Sequence, residues 1–126
     1  LENMMKLFVL IGSLNAFLSV ALGAFGAHIL KQKLTPDKLD VFQTGVHYHM
    51  IHAVALIAIA ILSDKLGNTS MVNASGWAIF IGIILFSGSL YALSLTGIKF
   101  FGPITPLGGL SFLVGWILLA IAALKS

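Results

Sequence analysis

Four long stretches of this chain carry no charged side chain: Leu7 to Ala27, Val41 to Leu62, Met71 to Ile98 and Phe100 to Leu124, of 21, 22, 28 and 25 residues. A helix needs about 20 apolar residues, at ~1.5 Å rise each, to cross ~30 Å of hydrocarbon, so every stretch is long enough. The whole chain has 126 residues, 59% of them hydrophobic and 9% charged, which leaves almost nothing for a separate water-facing domain. A soluble fold carries roughly 25% charged residues and is excluded. In lipid every backbone polar group must be satisfied within the structure, and helices joined by short links lie antiparallel. The expectation is therefore an all-α, integral membrane antiparallel four-helix bundle, one transmembrane domain over residues 1–126.

Local signals set the expected boundaries. The first apolar run follows Lys6 and exceeds the about 7 to 15 residues of a secretory signal core, so it is read as a retained span over about residues 7–29. Thr35, Pro36 and Asp37 supply an N-cap, a first-turn proline and a first-turn carboxylate, starting a second helix whose span covers about 38–62. Ser63, Asp64, Lys65, Gly67 and Asn68 are expected to end it. The third span, about 76–95, opens on Trp77 at headgroup level and closes on Thr96 and Gly97. Thr105 and Pro106 repeat the Thr-Pro start, which places the fourth span at about 106–124. Asn68 and Asn73 head N-x-S sequons of a kind that arises easily by chance.

Composition removes several classes of function. With no cysteine there is no disulfide framework, thiolate chemistry or Cys-ligated metal. Seven lysines without a basic run or an arginine do not make a nucleic-acid surface. The partner implied is the lipid bilayer. Leucine gains nothing by hiding from acyl tails, so close helix packing must come from small residues. Gly12, Ala16, Ser19, Gly23 and Gly26 form one such seam, and Gly108, Ser111, Gly115 and Ala122 another. Packing within the chain is the first expectation for these faces; a homo-oligomer through the same Gly/Ala/Ser faces is the alternative.

Alternating spans gather most of the unusual polar residues at one membrane face. A ligand-binding or polar cluster is expected from His28, Thr44, His52, Ser87, Tyr91 and Thr105, with Asp40, Gln43, His47 and His49 nearby. If Asp40 marks the interface, His47 lies ~10 Å in and His52 ~18 Å in. An imidazole at that depth should be neutral, hydrogen-bonded and turned inward. The expected role of His28 and His52 is to tie the first two helices to the backbone or to Tyr91. His49 and His52, at i and i+3, are the candidates for a metal, although no HExxH spacing or nearby Glu supports them. A pH-sensitive carrier or pore and a haem or metal-binding membrane protein stand as alternatives. No catalytic residue is assigned, because Ser87-Gly88-Ser89 lacks the GxSxG elbow, and no cofactor is expected. The reading is a non-enzymatic membrane component.

Four ordered motifs carry a family resemblance. They are Gly23-Ala24-Phe25-Gly26-Ala27-His28; Phe42-Gln43-Thr44 with Tyr48 and His52; Leu85-Phe86-Ser87-Gly88-Ser89-Leu90-Tyr91; and Ile104-Thr105-Pro106-Leu107-Gly108-Gly109 with Gly115-Trp116. Together, over Lys6 to Lys125, they resemble the small bacterial membrane-protein family catalogued as domain of unknown function 423. The resemblance implies a four-span protein of the bacterial cytoplasmic membrane and brings no activity with it. It also implies that shared chemistry would rest on His28 and His52 rather than on His47 and His49.

Overall fold

The computed structural model describes residues 2–67 and 69–126; Asn68, and with it the first sequon, lies outside the described residues. The described residues contain no strand, and four helices are long and apolar enough to cross a membrane. These spans are Met4–Leu30, Pro36–Lys65, Ser70–Thr96 and Lys99–Lys125, hereafter the first to fourth. The first lies along the second, the second meets the third, and the third lies along the fourth. Charged side chains sit at the span ends, as they must where the middle is hydrocarbon.

Each boundary has a local cause. The second span starts as its sequence dictates: the Thr35 hydroxyl accepts from the Lys38 N–H at 3.3 Å, and Pro36 occupies the first helical position, where no N–H is needed. Thr35→Ala should lower stability by about 1 kcal/mol, readable as an earlier thermal midpoint in detergent. The helix continues past Ser63 and Asp64 to Lys65 and stops where Gly67 turns left-handed at φ 72°.

Two boundaries differ from the sequence expectation. The third helix begins at Thr69, so Trp77 lies roughly two turns inside it instead of at its opening. Its first turns are polar enough to pass for a loop, yet the Ser75 hydroxyl donates back to the Val72 carbonyl at 2.6 Å and so satisfies itself within the helix. In the fourth span the helix proper runs Ile104–Lys125, with Pro103 as its cap, so Thr105 is inside and not the N-cap. Pro106 is tolerated as the third helical residue because the first N–H groups of any helix lack an intrahelical acceptor. The same Thr-Pro pair thus starts one helix and merely enters another, since a second proline already fixes the chain just upstream.

The apolar core gathers Phe8, Leu56, Ile59, Val72, Ile79 and Phe112 toward the chain-end half of the bundle, and a smaller cluster joins Ala27, Phe42 and Val46. Glycine sets the closest approaches. A Cβ on Gly12 would meet Ile57 Cγ1 at 2.8 Å and the Ala53 carbonyl at 3.0 Å, and one on Gly108 would collide with the backbone of Phe86. The Gly23 and Gly115 positions likewise face Val46 and Ile79. These small-residue faces are therefore occupied by neighbours from the same chain.

Two π-helical turns interrupt the spans, at Leu22–Gly26 and Ile83–Ser87. The second has a visible consequence. A wide turn holds an extra residue and rotates the rest of the helix about its axis. Below it, Ala78, Ile79 and Gly82 face the fourth span; above it, Ser87 and Tyr91 face the second.

Candidate functional site

Some interior polar side chains, such as Ser19, Ser63 and Ser75, bond back within their own helix; others form separate interhelical brackets. The largest crosses three spans. His49 is buried on the second span; its Nδ1 lies 2.9 Å from the Tyr91 hydroxyl of the third, and its Nε2 lies 2.8 Å from Asn15 Oδ1 of the first. The Asn15 amide nitrogen donates to the Ile11 carbonyl at 2.8 Å, which leaves Oδ1 as the acceptor. His49 Nε2 therefore carries the proton, and Nδ1 accepts from the tyrosine O–H. The chain of donors runs one way, from Tyr91 through His49 and Asn15 to the backbone.

One turn on, His52 makes the second bracket with the opposite tautomer. Its Nδ1 is 2.7 Å from the Tyr48 carbonyl, which can only accept, so this nitrogen bears the proton. Nε2 is left to accept from the Trp116 indole N–H at 3.0 Å. The ring also stacks on Phe112, with centroids 3.6 Å apart and planes 10° from parallel. Trp116, deep in the fourth span, thereby satisfies the N–H that usually keeps tryptophan at the membrane surface.

Three hydroxyl brackets complete the set. Ser87 donates to the Gly45 carbonyl at 2.8 Å, joining the third span to the second. Ser89 and Thr105 share a hydrogen bond of 2.6 Å, and Ser111 donates to the Ala78 carbonyl at 2.7 Å; both join the third span to the fourth.

The residues singled out in the sequence are thus distributed, not gathered. Tyr91, His52, Ser87 and Thr105 each make an interhelical bond, but to four different partners. His28 is exposed near the end of the first span and forms no hydrogen bond among the described residues, so it does not pair with His52 or Tyr91. Thr44 is exposed and turns its hydroxyl back to the Asp40 carbonyl at 2.9 Å. The reason is angular: the backbone carbonyl four residues earlier is always within reach of a helical threonine, whereas a neighbouring helix is not. His49 and His52 do not point one way. Each ring has a single lone pair, and these are taken by donors on different spans, the tyrosine and the tryptophan. Among the described residues no group of three or more His, Asp or Glu could hold a metal ion.

Asn15 and the bracketing role of His49 escape the sequence reading. The available signal is that Asn15 is the sole amide within the charge-free run from Leu7 to Ala27. Trp116 enters that reading only through the family motif.

Two surface hollows adjoin the His52 bracket. One is a groove of about 490 Å³ running from Pro106 to Trp116 and walled by Tyr48, His52, Phe86 and Leu113. The other, about 310 Å³, is lined by Asp40, Gln43, Thr44, His47 and Tyr48. Tyr48 is common to both.

Comparison with known proteins places the chain. The family model described as "Protein of unknown function (DUF423)" matches residues 22–109. The UPF0382 membrane protein YwdK of Bacillus subtilis is 52% identical over 121 residues, covering 96% of this chain and 98% of the relative. A UPF0382 membrane protein of Staphylococcus aureus is also 52% identical, over 122 residues with 96% and 98% coverage. One from Staphylococcus saprophyticus is 49% identical over 122 residues, with 96% and 99% coverage. No solved structure gives a significant match. With the family motifs spread over helices that fold as a four-span bundle, the chain belongs to the DUF423 family of unknown function and is a multi-pass protein of the cytoplasmic membrane.

Proposed function

We propose that the protein is a non-enzymatic membrane component whose buried histidines are structural fasteners. The observation that carries this reading is the complete use of both rings: every nitrogen of His49 and His52 is engaged in a neutral tautomer, with a protein acceptor on one side and a protein donor on the other. A general base or a metal ligand needs a lone pair facing substrate or ion, and here each lone pair faces an O–H or N–H of the protein. The small-residue faces support the same reading, since they are spent on packing inside the chain. A homo-oligomer would then use outer faces, such as the exposed Phe17 and Phe25 side of the first span, rather than the glycine seams.

The test is reconstitution into sealed vesicles. Flux of protons, sodium, potassium or small organic ions should not exceed that of empty vesicles, while His52→Ala lowers the detergent melting temperature. A flux above background that vanishes in His49→Ala or His52→Ala would replace the structural reading with a carrier or pore.

A further inference from the structure

The two hollows that meet at Tyr48 differ in chemistry and in depth. The smaller holds the side chains of Asp40, Gln43, Thr44 and His47 in the first turns of the second span, at the membrane face where that span begins. The larger follows the fourth span inward from Pro106 to Trp116, a rise of ~15 Å, between aromatic and aliphatic walls. A polar recess at headgroup level is therefore separated only by Tyr48 from an apolar groove leading toward the bilayer centre.

The polar recess is short of partners. Among the described residues the exposed side chains of Asp40, Gln43 and His47 and the Tyr48 hydroxyl make no hydrogen bond to protein, whereas the buried His49 and His52 rings are fully bonded. The groove wall, by contrast, is fixed: Tyr48, His52 and Phe112 lie nearly parallel, at 7° and 14° from the tyrosine plane. A preformed apolar slot beside a few convergent polar groups is the usual plan of a small-molecule site.

We infer that this paired recess and groove binds a single membrane lipid with an uncharged, hydroxyl-rich headgroup, its chain lying in the groove along Pro106 to Trp116. The headgroup follows from the lining. Asp40 is its only formally charged member and only accepts hydrogen bonds, so a phosphate there meets repulsion. Gln43, His47 and the Tyr48 hydroxyl both donate and accept, which matches hydroxyls better than an ammonium, a donor alone. An amine lipid would also carry its phosphate to within a headgroup's length of Asp40. A neutral glycosyl diacylglycerol satisfies all of these groups.

Trp116 supplies the readout. The chain has two tryptophans, and Trp77 lies outside the groove, so Trp77→Phe leaves one reporter in the groove wall. The variant is placed in phosphatidylcholine nanodiscs that contain, at equal bromine content, chain-brominated glucosyl diacylglycerol, phosphatidylcholine or phosphatidylethanolamine. The glycolipid should quench Trp116 severalfold more than either phospholipid. That excess should disappear when Asp40→Ala and Gln43→Ala are added, and shrink when Gly109→Leu fills the groove, with the melting temperature confirming that each variant folds. Equal quenching by all three lipids would reduce the groove to ordinary lipid contact and overturn the proposal. An excess with phosphatidylethanolamine alone, or one that survives loss of Asp40 and Gln43, would overturn the headgroup assignment.

Discussion

Gly108→Ala is expected to unlatch the third and fourth spans, at a cost of about 3 kcal/mol, the upper end of what overpacking a well-filled interior produces. The added methyl would sit against the backbone nitrogen and Cα of Phe86, and backbone cannot swing aside as a side chain can. Relief requires the two helices to part, which also stretches the Ser89 to Thr105 and Ser111 to Ala78 hydrogen bonds on either side. The neighbouring residue is the control. A Cβ on Gly109 would touch Phe86 ring atoms at an ordinary 3.8 Å and 3.9 Å. Gly109→Ala should therefore be neutral or stabilise by up to about 1 kcal/mol through helix propensity. Unfolding in mixed detergent micelles, followed by circular dichroism, separates the two. If both variants melted alike, the close crossing at Gly108 would be wrong.

His49→Ala should cost about 3 kcal/mol, while His28→Ala should change stability by less than about 0.5 kcal/mol. Interhelical hydrogen bonds in bilayers average only ~0.6 kcal/mol, so the two lost bonds account for less than half. The rest comes from the void left by an imidazole and from stranding the Tyr91 hydroxyl and Asn15 Oδ1 without partners. His49→Phe divides these contributions, because it refills the volume and restores neither bond. It should recover part of the loss. Equal melting of the His49→Ala and His28→Ala variants would remove the three-helix bracket from the account of stability.

The contrast between these two histidines marks where residue identity misleads. His28 sits in the Gly-Ala-Phe-Gly-Ala-His motif that carries the family resemblance, and the same motif overlaps a π-helical turn. Belonging to a motif says that a position matters to the family, not that its side chain faces inward, and this one faces out. His49 has no such distinction, being one of three histidines spaced through a single helix. Which of them turns toward a partner depends on the angular setting of that helix against both neighbours, and the three differ by rotations that sequence spacing gives only relative to one another. Gly45 fixes that setting: its missing side chain leaves room for the Tyr91 ring, whose nearest carbon would lie 2.9 Å from a Cβ there, and this draws the tyrosine hydroxyl up to His49.

Sequence alone determined that four helices cross a bilayer, because a chain cannot leave backbone polar groups unpaired in hydrocarbon and only long uncharged runs can reside there. It also determined the start of the second helix, since a Thr-Pro-Asp cap acts within one turn and needs no distant partner. Tertiary structure decided the brackets. Asn15 with His49, His49 with Tyr91, and His52 with Trp116 are separated along the chain by 34, 42 and 64 positions and meet only after the helices settle into register. A hydrogen bond is short and directional, so its existence depends on about an ångström of placement and tens of degrees of rotation, whereas hydrophobic length tolerates errors of a whole turn.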